Sequence, residues 1–442
     1  MGARSVQENT TFLGQSPLHM AVTNPDVCRL LFEAGHGLDV TDKWGATPLM
    51  YAAAMGQVQT VKLLLSAGAD PSLRSYPKGY KSSNRTFLHY AIARGHLDLV
   101  LEALGTIQQL CGDETLQNFS QLATMIAIST RQFPRGSRTS FFSELVKNLA
   151  DVNMSFKDGP AGADDNNLMH YVLSVEEASA LVHCGFNQFN SPNSDGRLAI
   201  NSVARHCDPA LIKFCLDNGT GVGNKDKEDR GILFDILCNF WGPAACKTRD
   251  TLAGIRVCLD AGVDIFEKDS CRCPCSPGGC TIFSIFSTDF PSTYSEYRPG
   301  LLWTLEWLTL VEEHRGAEAA RQGLLLLLRR VKCTGSDIDI THTCCHRGRG
   351  ICHRSWYHAV PPSPLTDEDI TEIHDEQSEF IDILENEIRQ LGSETLDCLW
   401  SKWMFAIKAR FDANVVAVNK EKAKRKPQLQ KVSGLRTIQG QM

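Results

Sequence analysis

Cysteine is the residue type in this chain with the most distinctive chemical potential, since eight of its seventeen copies fall between Cys271 and Cys352. The densest run is Cys271-Arg272-Cys273-Pro274-Cys275-Ser276-Pro277-Gly278-Gly279-Cys280. Thiolates are soft ligands, and four of them closing a tetrahedron around zinc need short spacers and a turn. Cys271, Cys273, Cys275 and Cys280 provide the four sulfurs, and Pro274, Pro277, Gly278 and Gly279 the turn. A second group, Cys344, Cys345 and His346 followed by Cys352, could complete the same site or form another. A structural zinc is the first reading, packed thiols the second and a redox switch the third. The spacing C-x-C-x-C-x4-C is less diagnostic than paired C-x2-C knuckles.

The compartment bears on that choice. Apolar runs such as Leu324 to Leu328 fall far short of the roughly 20 residues a membrane helix needs. Met1 to Thr11 carries no apolar signal core. The expectation is a soluble protein in a reducing compartment, where cysteines serve as thiols or metal ligands. A formal charge of -6 over 442 residues argues against a nucleic-acid binder, which needs a clustered positive surface.

The elements that must position these residues are legible as a repeat. An apolar cluster ending in Gly, or in Leu for two copies, recurs at positions 35, 68, 104, 149, 185, 219 and 262, a period near 33 with insertions. One unit is nearly complete: Gly45-Ala46-Thr47-Pro48-Leu49-Met50-Tyr51-Ala52-Ala53-Ala54-Met55-Gly56, then Val61 to Asp70. Thr47 is placed to cap a helix that begins at Pro48, Gly56 to turn the chain, and Gly68 to end the second helix. Ser16-Pro17-Leu18-His19 and Thr86-Phe87-Leu88-His89 repeat the pattern, and looser copies follow at Leu168, Gly196 and Gly231. His19, His89 and His170 read as backbone stitches between units and not as ligands or catalysts.

These units resemble the ankyrin repeat. The resemblance implies an all-α fold, a solenoid of helix-turn-helix units with short β-hairpin loops, spanning 12–286 in about seven units. Residues 105–140 fit no unit and are left open as repeat or insertion. The cysteine run sits where a further unit's loop would lie, with Thr281 in place of Thr47. A metal there would cap the end of the stack, whose outer face has no neighbour. Degenerate repeats together with Asp269 to Cys275, Thr341 to Cys345 and an acidic helix also make the chain similar to cysteine-rich ankyrin-repeat proteins of filamentous fungi.

Beyond the repeats, 287–360 reads as a helical cap carrying the cysteine/histidine cluster, and 361–415 as acidic and aromatic helices. Ile370, Ile373, Gln377, Phe380, Leu384, Ile388 and Leu391 form one stripe, expected to pack back on the cap instead of dimerising. The basic stretch 416–442 reads as a disordered end, with a nuclear-import signal as the alternative.

Stacked repeats expose a long surface and a row of loops suited to macromolecular partners. The lengthened loop after Asp70 carries Arg74, Tyr76, Lys78, Tyr80, Lys81 and Arg85, with Trp44 in the preceding loop as its expected neighbour. No G-x-x-x-x-G-K, G-x-S-x-G or H-E-x-x-H motif occurs. The expected function is a monomeric, non-enzymatic scaffold that binds protein partners in the cytoplasm or, if the tail directs it, the nucleus. The alternative is a cysteine-based metal-binding or redox-sensing regulator.

Overall fold

Thr47 opens a helix of which Pro48 is the first residue. The Thr47 hydroxyl accepts the Met50 N–H at 3.4 Å, and a proline in the first turn forfeits no hydrogen bond. The helix runs Pro48–Ala54, and Val58–Ser66 returns after a turn at Gly56, whose φ is +69°. A Cβ at position 56 would lie 2.7 Å from the His96 ring, so both the backbone angle and the space demand glycine. Leu49, Ala52, Ala53 and Leu64 are all fully buried, and the small alanines let neighbouring hairpins approach closely.

The computed structural model describes residues 11–76, 84–129, 137–156, 165–238, 248–272, 276, 278–286, 294–334, 366–409 and 412. They fall into two compact units, Met1–Ser194 and Asp195–Met442. In the first unit the hairpins are Pro17–Ala21 with Pro25–Glu33, Pro48–Ala54 with Val58–Ser66, Phe87–Ala93 with Leu97–Cys111, and Asp113–Ser129 with Ser137–Lys147. Each leading helix packs on the next leading helix and each return helix on the next return helix. A 3-10 turn, Leu168–Tyr171, and helix Val175–His183 complete this unit.

Of the stretch 105–140, left open by the sequence, residues 105–129 and 137–140 are described, and the first part joins two helices with no loop between them. Leu97–Cys111 runs on for 15 residues, Gly112 turns at φ +82°, and Asp113–Ser129 follows directly and packs on Phe87–Ala93 as a leading helix would. Strand structure among the described residues is slight. Ser155–Phe156 pairs antiparallel with Asn166–Asn167, and Ser75 bridges Arg85.

In the second unit, Ala199–Ala204, Ile232–Cys238, Ile282–Phe286 and Ala317–Thr334 form the leading row, each packing on the next. Pro209–Asp217, Thr248–Asp260 and Tyr294–Arg315 form the return row. Helix Ser378–Leu391 lies on Ala317–Thr334, with Leu384 fully buried, Arg329 bonded to Glu385 at 2.5 Å and Lys332 to Glu387 at 2.5 Å. The apolar stripe is thus divided between two helices, Asp367–Glu376 and Ser378–Leu391, and its second half packs back on the cap. A last helix spans 396–409 and buries Leu399, Trp403 and Ile407 while Phe405 stands 76% exposed. Among the described residues no helix is long and apolar enough to cross a membrane.

Candidate functional site

Three of the loops that join one hairpin to the next are rooted on an aspartate side chain. Asp42 Oδ1 accepts the N–H of Trp44 at 2.8 Å and of Ala46 at 2.8 Å, while the Asp42 N–H donates to the Ala46 carbonyl at 2.9 Å. Asp226 does the same with Glu228 and Arg230, all at 3.0 Å. Asp269 repeats it with Cys271 at 3.0 Å and Cys280 at 2.8 Å, and its N–H donates to the Cys280 carbonyl at 3.0 Å. The cysteine run is therefore a repeat loop with extra residues inserted between two anchor points that recur at Asp42 and Asp226. Gly279 at φ +103° lets the chain re-enter beside the Asp269 carbonyl, with which a Cβ would collide.

A second lengthened loop grows from Ser75. Its N–H donates to the Arg85 carbonyl at 2.9 Å and the Arg85 N–H returns to Ser75 at 3.1 Å. The Ser75 hydroxyl, fully buried, touches the Arg85 carbonyl at 3.2 Å and Tyr90 Oη at 2.8 Å. The Tyr76 N–H donates to the Trp44 carbonyl at 2.9 Å, which makes these two residues neighbours as expected. Tyr76 is 55% exposed, Arg74 is exposed, and Trp44 and Arg85 are half-buried. Lys78, Tyr80 and Lys81 lie outside the described residues.

Beneath this loop His89 takes the Thr86 N–H on Nδ1 at 3.1 Å. Burial, and then the charges of Arg85 and Arg74, push its imidazole down to about 4, so it is neutral at ordinary pH. His19 plays the same part more fully. Nδ1 accepts the Ser16 N–H at 3.1 Å, which leaves the proton on Nε2 to donate to the Ala46 carbonyl of the next unit at 2.9 Å. His170 contacts Asn167 at 2.8 Å. His19 thus links neighbouring units, while the bonds of His89 to Thr86 and of His170 to Asn167 lie within their own.

The cysteine loop is buried where the other is open. Cys271, Cys280 and Asp269 are 5%, 2% and 5% exposed, and one ligand atom from each lies within 4.8 Å of the others. Cys271 is disulfide-bonded. Cys333, from the end of helix Ala317–Thr334, joins the same buried cluster with Leu384, and Phe380 and Ile388 cover it. Arg272 binds Asp367 at 2.8 Å, and its carbonyl accepts from His374 Nε2 at 2.7 Å, which latches helix Asp367–Glu376 to the loop. Cys273, Cys275, Cys344, Cys345, His346 and Cys352 lie outside the described residues. Sequence reasoning missed two members. Asp269 carried a signal, because an aspartate at the same place roots the loops at 42 and 226; Cys333 carried none.

Comparison with known proteins agrees with the architecture. Residues 3–75 and 18–109 match the family model described as Ankyrin repeats (3 copies), so the chain carries ankyrin repeats over this stretch. Ankyrin repeats are in general protein-interaction modules, and their fold is in general non-enzymatic. The chain is similar to the NF-kappa-B inhibitor alpha of Homo sapiens, 37% identical over 90 residues, which is 20% of this chain and 28% of that protein. It is similar to the ankyrin repeat protein nuc-2 of Neurospora crassa, 34% identical over 89 residues, 19% of this chain and 8% of that one. The chain thus spans less than a third of either relative. Among solved structures, the human ASB11 ankyrin repeat domain is 16% identical with a TM-score of 0.37, covering 55% of this chain and 98% of that one.

Proposed function

We propose that this protein is a non-enzymatic scaffold that holds a protein partner on the loops around Trp44, Arg74, Tyr76 and Arg85. The observation that carries this reading is Tyr76: it is 55% exposed, yet its backbone is hydrogen-bonded to the Trp44 carbonyl beside the Ser75–Arg85 bridge. Tyr, Trp and Arg are the side chains that dominate binding energy at protein interfaces. A held backbone also reduces the ordering cost of association. Lys78, Tyr80 and Lys81 extend the same basic and aromatic composition. The scaffold is read as a monomer of the cytoplasm, with nuclear entry through the basic tail as the alternative. The cysteine run, the acidic helix and the degenerate repeats support a place among cysteine-rich ankyrin-repeat proteins of filamentous fungi.

The test compares partners captured by the parent with those captured by a Trp44→Ala/Tyr76→Ala double variant of equal thermal stability. Loss of a partner from the variant supports the reading; retention of every partner defeats it. A second reading, a metal-binding or redox-sensing regulator, is favoured by the mutual proximity of Asp269, Cys271 and Cys280.

A further inference from the structure

Backbone hydrogen bonds stitch successive loop tips of the first unit into a row. The Lys43 N–H donates to the Leu13 carbonyl at 3.0 Å, and the Tyr76 N–H to the Trp44 carbonyl at 2.9 Å. The second unit repeats the stitch, from Lys227 to Asp195 and from Ser270 to Glu228, both at 2.9 Å. The two rows differ in charge. In the second, Arg230 meets Glu228 at 2.6 Å and Asp226 at 2.8 Å, so acid and base offset each other within the loop. In the first, the tips at 11–15, 43–46 and 74–76 contain no carboxylate, and Lys43, Arg74 and Arg85 form no ion pair among the described residues. We propose that this row is the docking surface for an acidic peptide segment, rich in Asp and Glu, of the partner protein. The inference deepens the scaffold reading above and rests on it.

Cations and rings alternate along the row. The Lys43 ammonium lies 4.4 Å from the centre of the Phe12 ring, and Phe12 is 87% exposed. A Cβ at Gly45 would stand 4.0 Å from Tyr76 Cδ2, so the Tyr76 ring lies against the loop that carries Trp44. The charges of Arg85 and Arg74 both reach His89 beneath the loop, where they disfavour its protonation, so an arriving carboxylate meets two cations together. Asp42, the acid beside Lys43, is 6% exposed and its oxygens are engaged by Trp44, Ala46 and Tyr51. A guanidinium offers a planar fork that takes a carboxylate in paired hydrogen bonds. Cations with no internal ion pair have none to break when they bind.

The positive face is local, because the chain as a whole carries -6. A short acidic segment fits within such a face. A nucleic-acid duplex, with a charge about every 1.7 Å along its axis, would run on over a net negative surface.

The test uses the full chain and the fluorescence anisotropy of labelled probes. These are a short peptide alternating glutamate with glycine, the same peptide with glutamine in place of glutamate, and an oligothymidylate of equal length. The glutamate peptide should bind at least roughly tenfold tighter than the glutamine peptide, and more weakly as salt is raised. An Arg74→Gln/Lys43→Gln double variant of parental thermal stability should lose about tenfold in affinity for it. Arg94→Gln, which removes an exposed charge from the turn after helix Phe87–Ala93, should leave the affinity unchanged. Failure of the glutamate peptide to bind, equal binding of the two peptides, tighter binding of the oligothymidylate, or an equal loss in Arg94→Gln overturns the acidic partner. Partner capture separates this from failure of the scaffold reading. A partner lost from Trp44→Ala/Tyr76→Ala but kept by Arg74→Gln/Lys43→Gln overturns the acidic chemistry and leaves the loops as the docking surface; partners kept by both variants overturn the scaffold reading itself.

Discussion

The two lengthened loops of the described structure start from one design and end in opposite surroundings. Both leave a helix end, pair their first and last residues across a short backbone ladder, and re-enter at a capping threonine, Thr86 or Thr281. Their inserted residues are spent differently. From Ser75 the chain presents Tyr76 and Arg74 to solvent over a neutral His89. From Asp269 it turns Cys271 and Cys280 inward against Cys333 and receives helix Asp367–Glu376 on Arg272. The ladder closes whatever it encloses, so an insertion at this point costs the stack only loop entropy, which grows slowly with length. That freedom lets one repeat become a recognition surface and another a cross-link.

The comparison would break first at the roots. Asp226 sits between Arg197 and Arg230, and burial alone would raise its carboxyl. The hydrogen bonds and charge of Arg230, aided by Arg197, more than reverse this and hold it below the usual carboxylate range. Asp226→Asn leaves the buried Arg230 and the half-buried Arg197 against a neutral amide and is expected to cost about 3–5 kcal/mol. Asp42→Asn loses only a charge-assisted bond from Tyr51 and should cost about 1–2 kcal/mol. Urea denaturation of both variants decides this, and equal costs would refute the distinction. With a folded pKa below the unfolded value of 3.8, Asp226 contributes fully above about pH 4 and loses its contribution as pH falls through the folded value.

Gly279 sharpens the comparison next. Gly279→Ala places a methyl group against the Asp269 carbonyl at a φ that alanine rarely adopts, and should destabilise by about 1–3 kcal/mol. Gly35→Ala, at φ +94° with nothing near its Cβ, bears the backbone cost alone, about 1 kcal/mol. Thermal melts that rank the two the other way would mean the cysteine loop adapts freely. On the open loop the order of effects reverses. Tyr76→Ala should leave stability within about 0.5 kcal/mol, and weaken a bound partner roughly tenfold or more by titration calorimetry.

How much of this was legible depended on which side chain did each job. Residues 12–104 could be read because Ser16, Thr47 and Thr86 precede Pro-Leu or Phe-Leu in a repeated frame. The same capping persists further on with other groups: Asn201 accepts the Leu198 N–H at 3.0 Å and Ser284 the Thr281 N–H at 3.4 Å, where a histidine stood before. A pattern search keyed to histidine passes over these, although their hydrogen bonds are equivalent. The hairpin from Asp113 to Lys147 escaped because it lacks the loop that announces a unit. The position of the cysteine run as a modified loop was readable from Thr281. The arrival of Cys333 was not, since a lone cysteine at a helix end has no spacing to betray its neighbours.

The smallest expected effect separates the two units by sign. His89, in the first, stays neutral down to about pH 4 because burial, and then the charges of Arg85 and Arg74, disfavour its protonated form. The unfolded chain protonates near 6.5, so acidification from 6.5 toward 4 adds a proton to the unfolded state alone and stability falls. Glu267, in the second unit, is 8% exposed, and burial raises its carboxyl to about 7, with Asp264 and Asp226 adding to the rise and Lys225 opposing it. Between about 7 and 4.5 the folded state holds a proton that the unfolded state does not, so acidification there raises stability. His89→Gln and Glu267→Gln, each unfolded in urea at pH 7 and pH 5, should remove opposite slopes of on the order of 1 kcal/mol. A common sign in the two variants would mean that the basic loop and the buried acid do not set the pH response of their own units.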